Sequence, residues 1–99
     1  MFSHVVIFWT VPVNRGAADE LIAGMNQLLK NIPGVLQFHV GKMSPSPRSV
    51  VEQSYQVGLN ITFPDKPSEQ AYQTHPLHLE FVDKYVKRLV KKVVVYDFE

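Results

Sequence analysis

The sequence contains no cysteine, only five glycines, and no clear excess of either charge: ten basic side chains stand against nine acidic ones in 99 residues. Without a thiol there is no disulfide framework, no thiolate zinc site and no cysteine nucleophile. The chain must hold together on packing alone, which suits a cytoplasmic protein. A net charge of +1 supplies no field to draw in polyanions, so nucleic acid is excluded from the expected partners. No glycine-rich phosphate loop and no Gly-x-Ser-x-Gly turn is present, which removes hydride transfer on a Rossmann frame. The apolar stretch from Val5 to Val11 stops at Pro12, far short of a bilayer span, and no basic leader precedes it. No membrane partner is expected.

What is present is a globular composition, 45% apolar with 11% aromatic residues and 19% charged. It is too hydrophobic for a disordered chain, and its length allows one domain, residues 1–99. A domain this small leaves about 35 to 40% of its unfolded surface exposed when it folds alone, so a partner would stabilise it.

Residues 2–11 read as a strand apolar at both alternating sets, Phe2, Val6 and Phe8 against Val5, Ile7, Trp9 and Val11. The three-and-four spacing from Ala18 through Leu21, Met25 and Leu28 to Ile32 predicts a helix over 15–32, with Asn14 as N-cap and Pro33-Gly34 as stop. A second strand is expected over 35–43. A proline- and serine-rich loop follows, and the alternation of Tyr55, Val57, Leu59, Ile61 and Phe63 marks a third strand. Pro67 suits the first turn of a short helix. His75-Pro76 breaks it, because the residue before proline is pushed out of the helical region while proline itself starts the next helix well. That helix is predicted from about Pro76 to Leu89, and Val93 to Phe98 closes the chain as a strand.

The order β-α-β-β-α-α-β is that of a ferredoxin-like α+β sandwich, one antiparallel sheet with helices on one face. The first and last strands are apolar on both faces, which would leave a patch of several hundred Å² in water. A second copy of the chain, in a twofold homodimer, is expected to cover it. The alternative is that these strands lie centrally and the open face is less apolar than it reads.

The segment from Ala71 to Val82 carries the chemistry. Counting from His78, Phe81, Val82 and Tyr85 share its helix stripe, so the imidazole points inward. His4 shares a strand face with Phe2, Val6 and Phe8, so two histidines and Tyr72 can meet between sheet and helices. An inward imidazole can give or take a proton near neutrality, and a tyrosine hydroxyl can fix its tautomer or hold an oxyanion. The bland reading, core histidines bonded to backbone carbonyls, is favoured for His4 or His39 alone. For the cluster of Tyr72, His75, His78 and His4 a ligand or proton-transfer site stands level with it. No metal is expected. His75 and His78 with Glu80, Asp83 or His4 could supply ligands, but Pro76 takes His75 off the one-face geometry of a helical histidine pair. The basic run from Lys84 to Lys92 reads as a solvated face.

His4-Val-Val-Ile-Phe, the Ile32-Pro-Gly-Val turn into Phe38-x-Val-Gly41, Tyr72-x-x-His75-Pro-x-His78 and Val95-Tyr-Asp97-Phe together resemble the stress-responsive α/β-barrel (Dabb) family over nearly the whole chain. The resemblance implies a dimeric α+β barrel in which two ferredoxin-like sheets face each other. A plant polyketide cyclase of that family is similar at the tyrosine and histidine positions. It implies His78 as acid/base, Tyr72 as its partner and His4 in the pocket; the strand face of His4 adds Val6 and Phe8 as ligand-binding candidates, and the residue cluster adds His75. Its further pocket histidine and tyrosine correspond here to Val57 and Asn26. The resulting expectation is a cofactor-free cyclase, isomerase or lyase acting on a small apolar, aromatic or polyketide-like carbonyl compound. The rival is a non-catalytic, stress-related dimer that binds a ligand.

Overall fold

Strand β1 (Phe2–Thr10) sets the layers of the molecule, because its even-numbered side chains are all buried and its odd-numbered ones half exposed. In the computed structural model, which describes residues 1–99, β1 pairs antiparallel with β3 (Val57–Phe63) on one side and β4 (Val90–Phe98) on the other. Strand β2 (Gln37–Lys42) pairs antiparallel with β3, giving the sheet order β2-β3-β1-β4. Helices α1 (Ala17–Leu28), α2 (Lys66–Thr74) and α3 (residues 76–89) cover the face that carries Phe2, Val6 and Phe8. Those residues share a core with Leu21, Met25 and Phe63. This is the expected ferredoxin-like α+β architecture. None of its helices is long and apolar enough to cross a membrane.

The starts of α2 and α3 follow local chemistry. Asp65 caps α2, its carboxylate accepting from the Ser68 amide at 2.9 Å with Pro67 in the first turn. His75 ends α2 in an extended conformation and caps α3, its Nδ1 accepting from the Leu77 amide at 3.1 Å.

Several bounds differ from the sequence reading: β1 ends at Thr10, β3 starts at Val57 and β4 already at Val90. Helix α1 is shorter than 15–32 at both ends. Asn14 accepts from the Gly16 amide at 2.9 Å, which closes a turn before the helix, and Gly16 occupies the cap position without a side-chain bond. Beyond Leu28 the chain winds through turns to Gly34, whose φ of 96° suits glycine alone, yet Leu29 and Ile32 stay buried. Their spacing recorded burial, which a turn achieves as well as a helix. Strand β2 is also shorter than 35–43.

Helix α3 is α-helical over Pro76–Phe81, π-helical over Val82–Val86 and α-helical again over Lys87–Leu89. The wide turn carries an extra residue, so Val82 and Val86 keep facing the sheet while Tyr85 reaches α1. There the Tyr85 ring lies directly on Gly24, where a Cβ would come within 2.8 Å of three ring carbons. Phe81 stacks on the same ring at 5.8 Å.

The opposite face of the sheet has no covering layer. Val5 pairs with Tyr96, Ile7 with Val94 and Ser3 with Phe98, and Tyr96 and Phe98 are 58% and 60% exposed. The apolar patch expected from the two-sided strands is therefore present on the isolated chain.

The Gly24 contact predicts a change of sign. Alone, Gly24→Ala gains up to about 1 kcal/mol of helix propensity but drives a methyl into the Tyr85 ring, and loses about 1–3 kcal/mol net. With Tyr85→Ala as background the same substitution stabilises. Denaturant melts of the four proteins in this cycle check it, and additive effects would refute the contact.

Candidate functional site

Between the sheet and the second and third helices lies a half-open cavity of about 170 Å³, lined mostly by apolar side chains. His4, Val6 and Phe8 enter it from β1, Tyr72 and Gln73 from α2, His78 and Phe81 from α3, and Val93 and Val95 from β4. The π turn contributes Val82 and Val86. The sequence argument that His78 and His4 face one space with Tyr72 thus corresponds to the observed geometry.

Tyr72 bridges the two histidines. Its ring centroid is 4.8 Å from that of His78 and 5.9 Å from that of His4, edge-on to both. It is 1% exposed, and burial pushes its hydroxyl well above the ordinary tyrosine range, with the Glu69 carboxylate adding to the shift. The phenol therefore stays protonated and can donate. Burial lowers the pKa of His78 and nearby His4 lowers it further, while the Gln73 carbonyl pulls the other way. The Nδ1 atom of His78 is buried without a hydrogen-bond partner. An unsatisfied buried nitrogen beside a cavity is costly unless a ligand answers it.

His4 is tied down on its other flank. Its Nδ1 is 2.6 Å from Asp97 Oδ1 and 3.7 Å from Glu69 Oε2. Glu69 is itself buried, and the Gln73 side-chain amide donates to it at 2.6 Å. Sequence reasoning gave neither carboxylate a role in the site. Both left a signal: Asp97 is the cross-strand partner of His4, and Glu69 lies one helical turn before Tyr72. Ligand atoms of His4, Glu69 and Asp97 fall within 4.8 Å of one another, so these residues, rather than the His75 and His78 set, would hold a cation. The 2.6 Å His4–Asp97 contact has the length of a charge-assisted hydrogen bond.

His75, expected to line the pocket, does not border the cavity; its ring is occupied in capping α3. Proline at the helix start created that vacancy for a cap, and the capping role accounts for the residue. His39 is exposed and lies on the open face, at a second hollow with Val5, Ile7 and Tyr55. Asn26 is exposed, and Val57 is buried opposite Phe8. Much of the basic run is spent in surface pairs, Lys84 with Glu80, Lys87 with Asp83 and Arg88 with Glu20.

The lowered pKa of His78 has a thermodynamic consequence. Below about pH 6.5 the unfolded chain takes up a proton that the folded site resists, so this stability is present above that pH and lost as the pH falls. Acidification from pH 7.5 to 5.5 should lower the melting temperature of the wild type more than that of His78→Gln. Parallel curves would place the pH dependence elsewhere.

Comparison with known proteins places this architecture. Residues 2–99 match the family described as Stress Responsive A/B Barrel Domain, or Dabb. A stress-response A/B barrel domain-containing protein of Arabidopsis thaliana, At5g22580, is 30% identical over 97 residues, covering 98% of this chain and 84% of that protein. A dimeric ferredoxin-like protein of unknown function from Jannaschia superposes with a TM-score of 0.75 at 26% identity, over 99% of this chain and 97% of the other. A hydroxynitrile lyase from Passiflora edulis superposes with a TM-score of 0.76 at 19% identity, over 98% and 90% respectively; at that identity the fold alone is shared.

Proposed function

The chain belongs to the stress-responsive A/B barrel (Dabb) family, and from that premise we propose that its cavity is a cofactor-free proton-transfer site for a small apolar or aromatic carbonyl compound. The reaction class is that of a cyclase, isomerase or lyase. The observation that carries this reading is the inward His78, its buried Nδ1 unpartnered, 4.8 Å ring to ring from Tyr72 beside the cavity. His78 exchanges a proton or hydrogen bond with the ligand, and the protonated Tyr72 hydroxyl holds a developing enolate or alkoxide oxygen. His4, Val6 and Phe8 form the wall.

Size narrows the ligand. A cavity of about 170 Å³ is close to the roughly 150 Å³ that accommodates benzene, so a single ring fits inside and a longer chain extends through the open side. A hydroxynitrile lyase with this fold supports the reading only so far as it shows that the architecture can house a lyase.

The competing role is a ligand-binding dimer without turnover, favoured by the apolar lining, which serves retention as well as reaction. His78→Ala separates both from a purely structural role. The expected result is a melting temperature within a few degrees of wild type, together with loss of the thermal shift produced by benzaldehyde-sized compounds. Collapse of the fold with no ligand effect in the wild type would sink the site. Turnover of such a compound by the wild type, abolished in the variant, selects the enzyme.

The open sheet face supports a homodimer, with a second copy burying Val5, Ile7, Val94 and Tyr96, and a related protein of the same fold is described as dimeric. Light scattering at micromolar concentration should give twice the chain mass, and Val94→Glu should return the monomer. A monomeric wild type overturns this assignment.

A further inference from the structure

We propose that His4, Glu69 and Asp97 form a site for one divalent transition-metal ion of the zinc class, set between β1, α2 and β4. The site goes beyond the proton-transfer reading and is independent of it, since His78 and Tyr72 contribute no ligand. Three donors from three separate elements converge on one point: His4 Nδ1 lies 2.6 Å from Asp97 Oδ1 and 3.7 Å from Glu69 Oε2, and all three donor atoms fall within 4.8 Å of one another. Donors held about 2.0–2.2 Å from a zinc ion stand roughly 3 to 3.5 Å apart, so the shortest of these gaps has to open, and the widest to close, by little more than about 1 Å. Asp97 has the freedom for that adjustment, because its side chain is 42% exposed on an edge strand.

Burial and charge separate this cluster from a chance meeting of surface acids. His4 and Glu69 are 4% and 5% exposed, and a carboxylate removed from water needs a cation or several donors to offset the loss. Neither Glu69 nor Asp97 pairs with a lysine or an arginine; the basic side chains that form pairs reach Asp19, Glu20, Glu80 and Asp83 instead. The hydrogen-bond donor that Glu69 does have is the neutral side-chain amide of Gln73, 2.6 Å from Oε2. Around metal centres, an outer hydrogen bond of this kind orients a ligating carboxylate. The donor set also selects the ion. Calcium and magnesium favour all-oxygen surroundings and copper(I) favours sulfur, whereas Zn²⁺, Co²⁺ and Mn²⁺ accept one imidazole nitrogen with two carboxylate oxygens and complete their coordination with water. Asp97 stands at the exposed edge with His4 and Glu69 behind it, so an ion enters past the β4 carboxylate and is enclosed by the other two. Bound there, it ties β4, which has a single ladder, to the central strand and to α2.

The chelator-treated full chain, titrated at pH 7.5 with Zn²⁺ and in a second series with Mn²⁺, tests the site. One Zn²⁺ per chain should bind with micromolar or tighter affinity and raise the melting temperature. Mn²⁺, whose broadening of NMR signals falls steeply with distance, should bleach the amides of His4, Glu69 and Asp97 before those around the exposed His39. Glu69→Gln and Asp97→Asn should each weaken Zn²⁺ binding about tenfold or more, and His39→Gln should leave it unchanged. Absence of saturable binding up to millimolar Zn²⁺ overturns the proposal, as does an affinity that survives both ligand substitutions. Bleaching centred on His39 or on the surface carboxylates overturns it equally, and this wild-type map decides the matter even if neither ligand variant folds.

Discussion

The two-residue alternation of the central strand is the constraint on which the rest depends. β1 is hydrogen-bonded on both edges, so its register fixes both neighbours: Val57 opposite Phe8, Val95 opposite Val6, and Asp97 opposite His4. A slip of one residue would send His4, Val6 and Phe8 to the open face and bring Val5, Ile7 and Trp9 under the helices. The sequence resists this slip weakly, since both sets are apolar. What pins it is polar and shape-specific: His4 finds Asp97 and Glu69 only on the helix side, and the Thr10 amide donates to the Gln56 side chain at 2.8 Å at the far end of the strand. The hydrogen-bonded imidazole thus helps to fix the register.

Placing so many polar groups under the helices is expensive for a chain of 99 residues, whose apolar core is small. The structure limits the cost by pairing. His4 Nδ1 lies 2.6 Å from Asp97 and 3.7 Å from Glu69, the Gln73 amide donates to Glu69, and burial keeps Tyr72 and His78 uncharged. The exceptions are Thr62 Oγ1 and His78 Nδ1, left without partners. Of the two, only His78 borders the cavity.

Much of this was legible beforehand, and the residues show why. Strand β3 is legible because one of its faces is apolar, and Val57, Leu59, Ile61 and Phe63 are buried as read, while Tyr55, read with them, lies before the strand and is half-buried. His75-Pro76 located the break between α2 and α3 because proline acts through local sterics that no tertiary contact has to supply. The end of α1 is not legible, because the spacing of Leu29 and Ile32 encodes burial and not the conformation that achieves it. The π turn was invisible for a related reason: Val82, Tyr85 and Val86 satisfy an α-helical stripe, and only the close approach of Gly24 to the Tyr85 ring shows that the helix must widen. Glu69 is not legible as a buried group, because a lone glutamate on an otherwise polar helix reads as solvent-facing until the histidine from another element is placed beside it.

Strand β4 joins the two faces of the sheet. Its Val94, Tyr96 and Phe98 look outward, where a second copy would pack, while Val93 and Val95 border the cavity and Asp97 holds His4 from the helix side. β4 is an edge strand, paired on one side alone, and it is exposed over most of its length in the isolated chain. An edge strand held by one ladder is the element of a sheet most free to shift, and packing against its outward side chains restrains it. Because alternate residues of one strand move together, whatever fixes Tyr96 and Phe98 on the outside also fixes Asp97, and through it the imidazole of His4 on the inside. Packing of a second copy on the outer face and the His4–Asp97 contact on the inner face would then draw on the same nine residues.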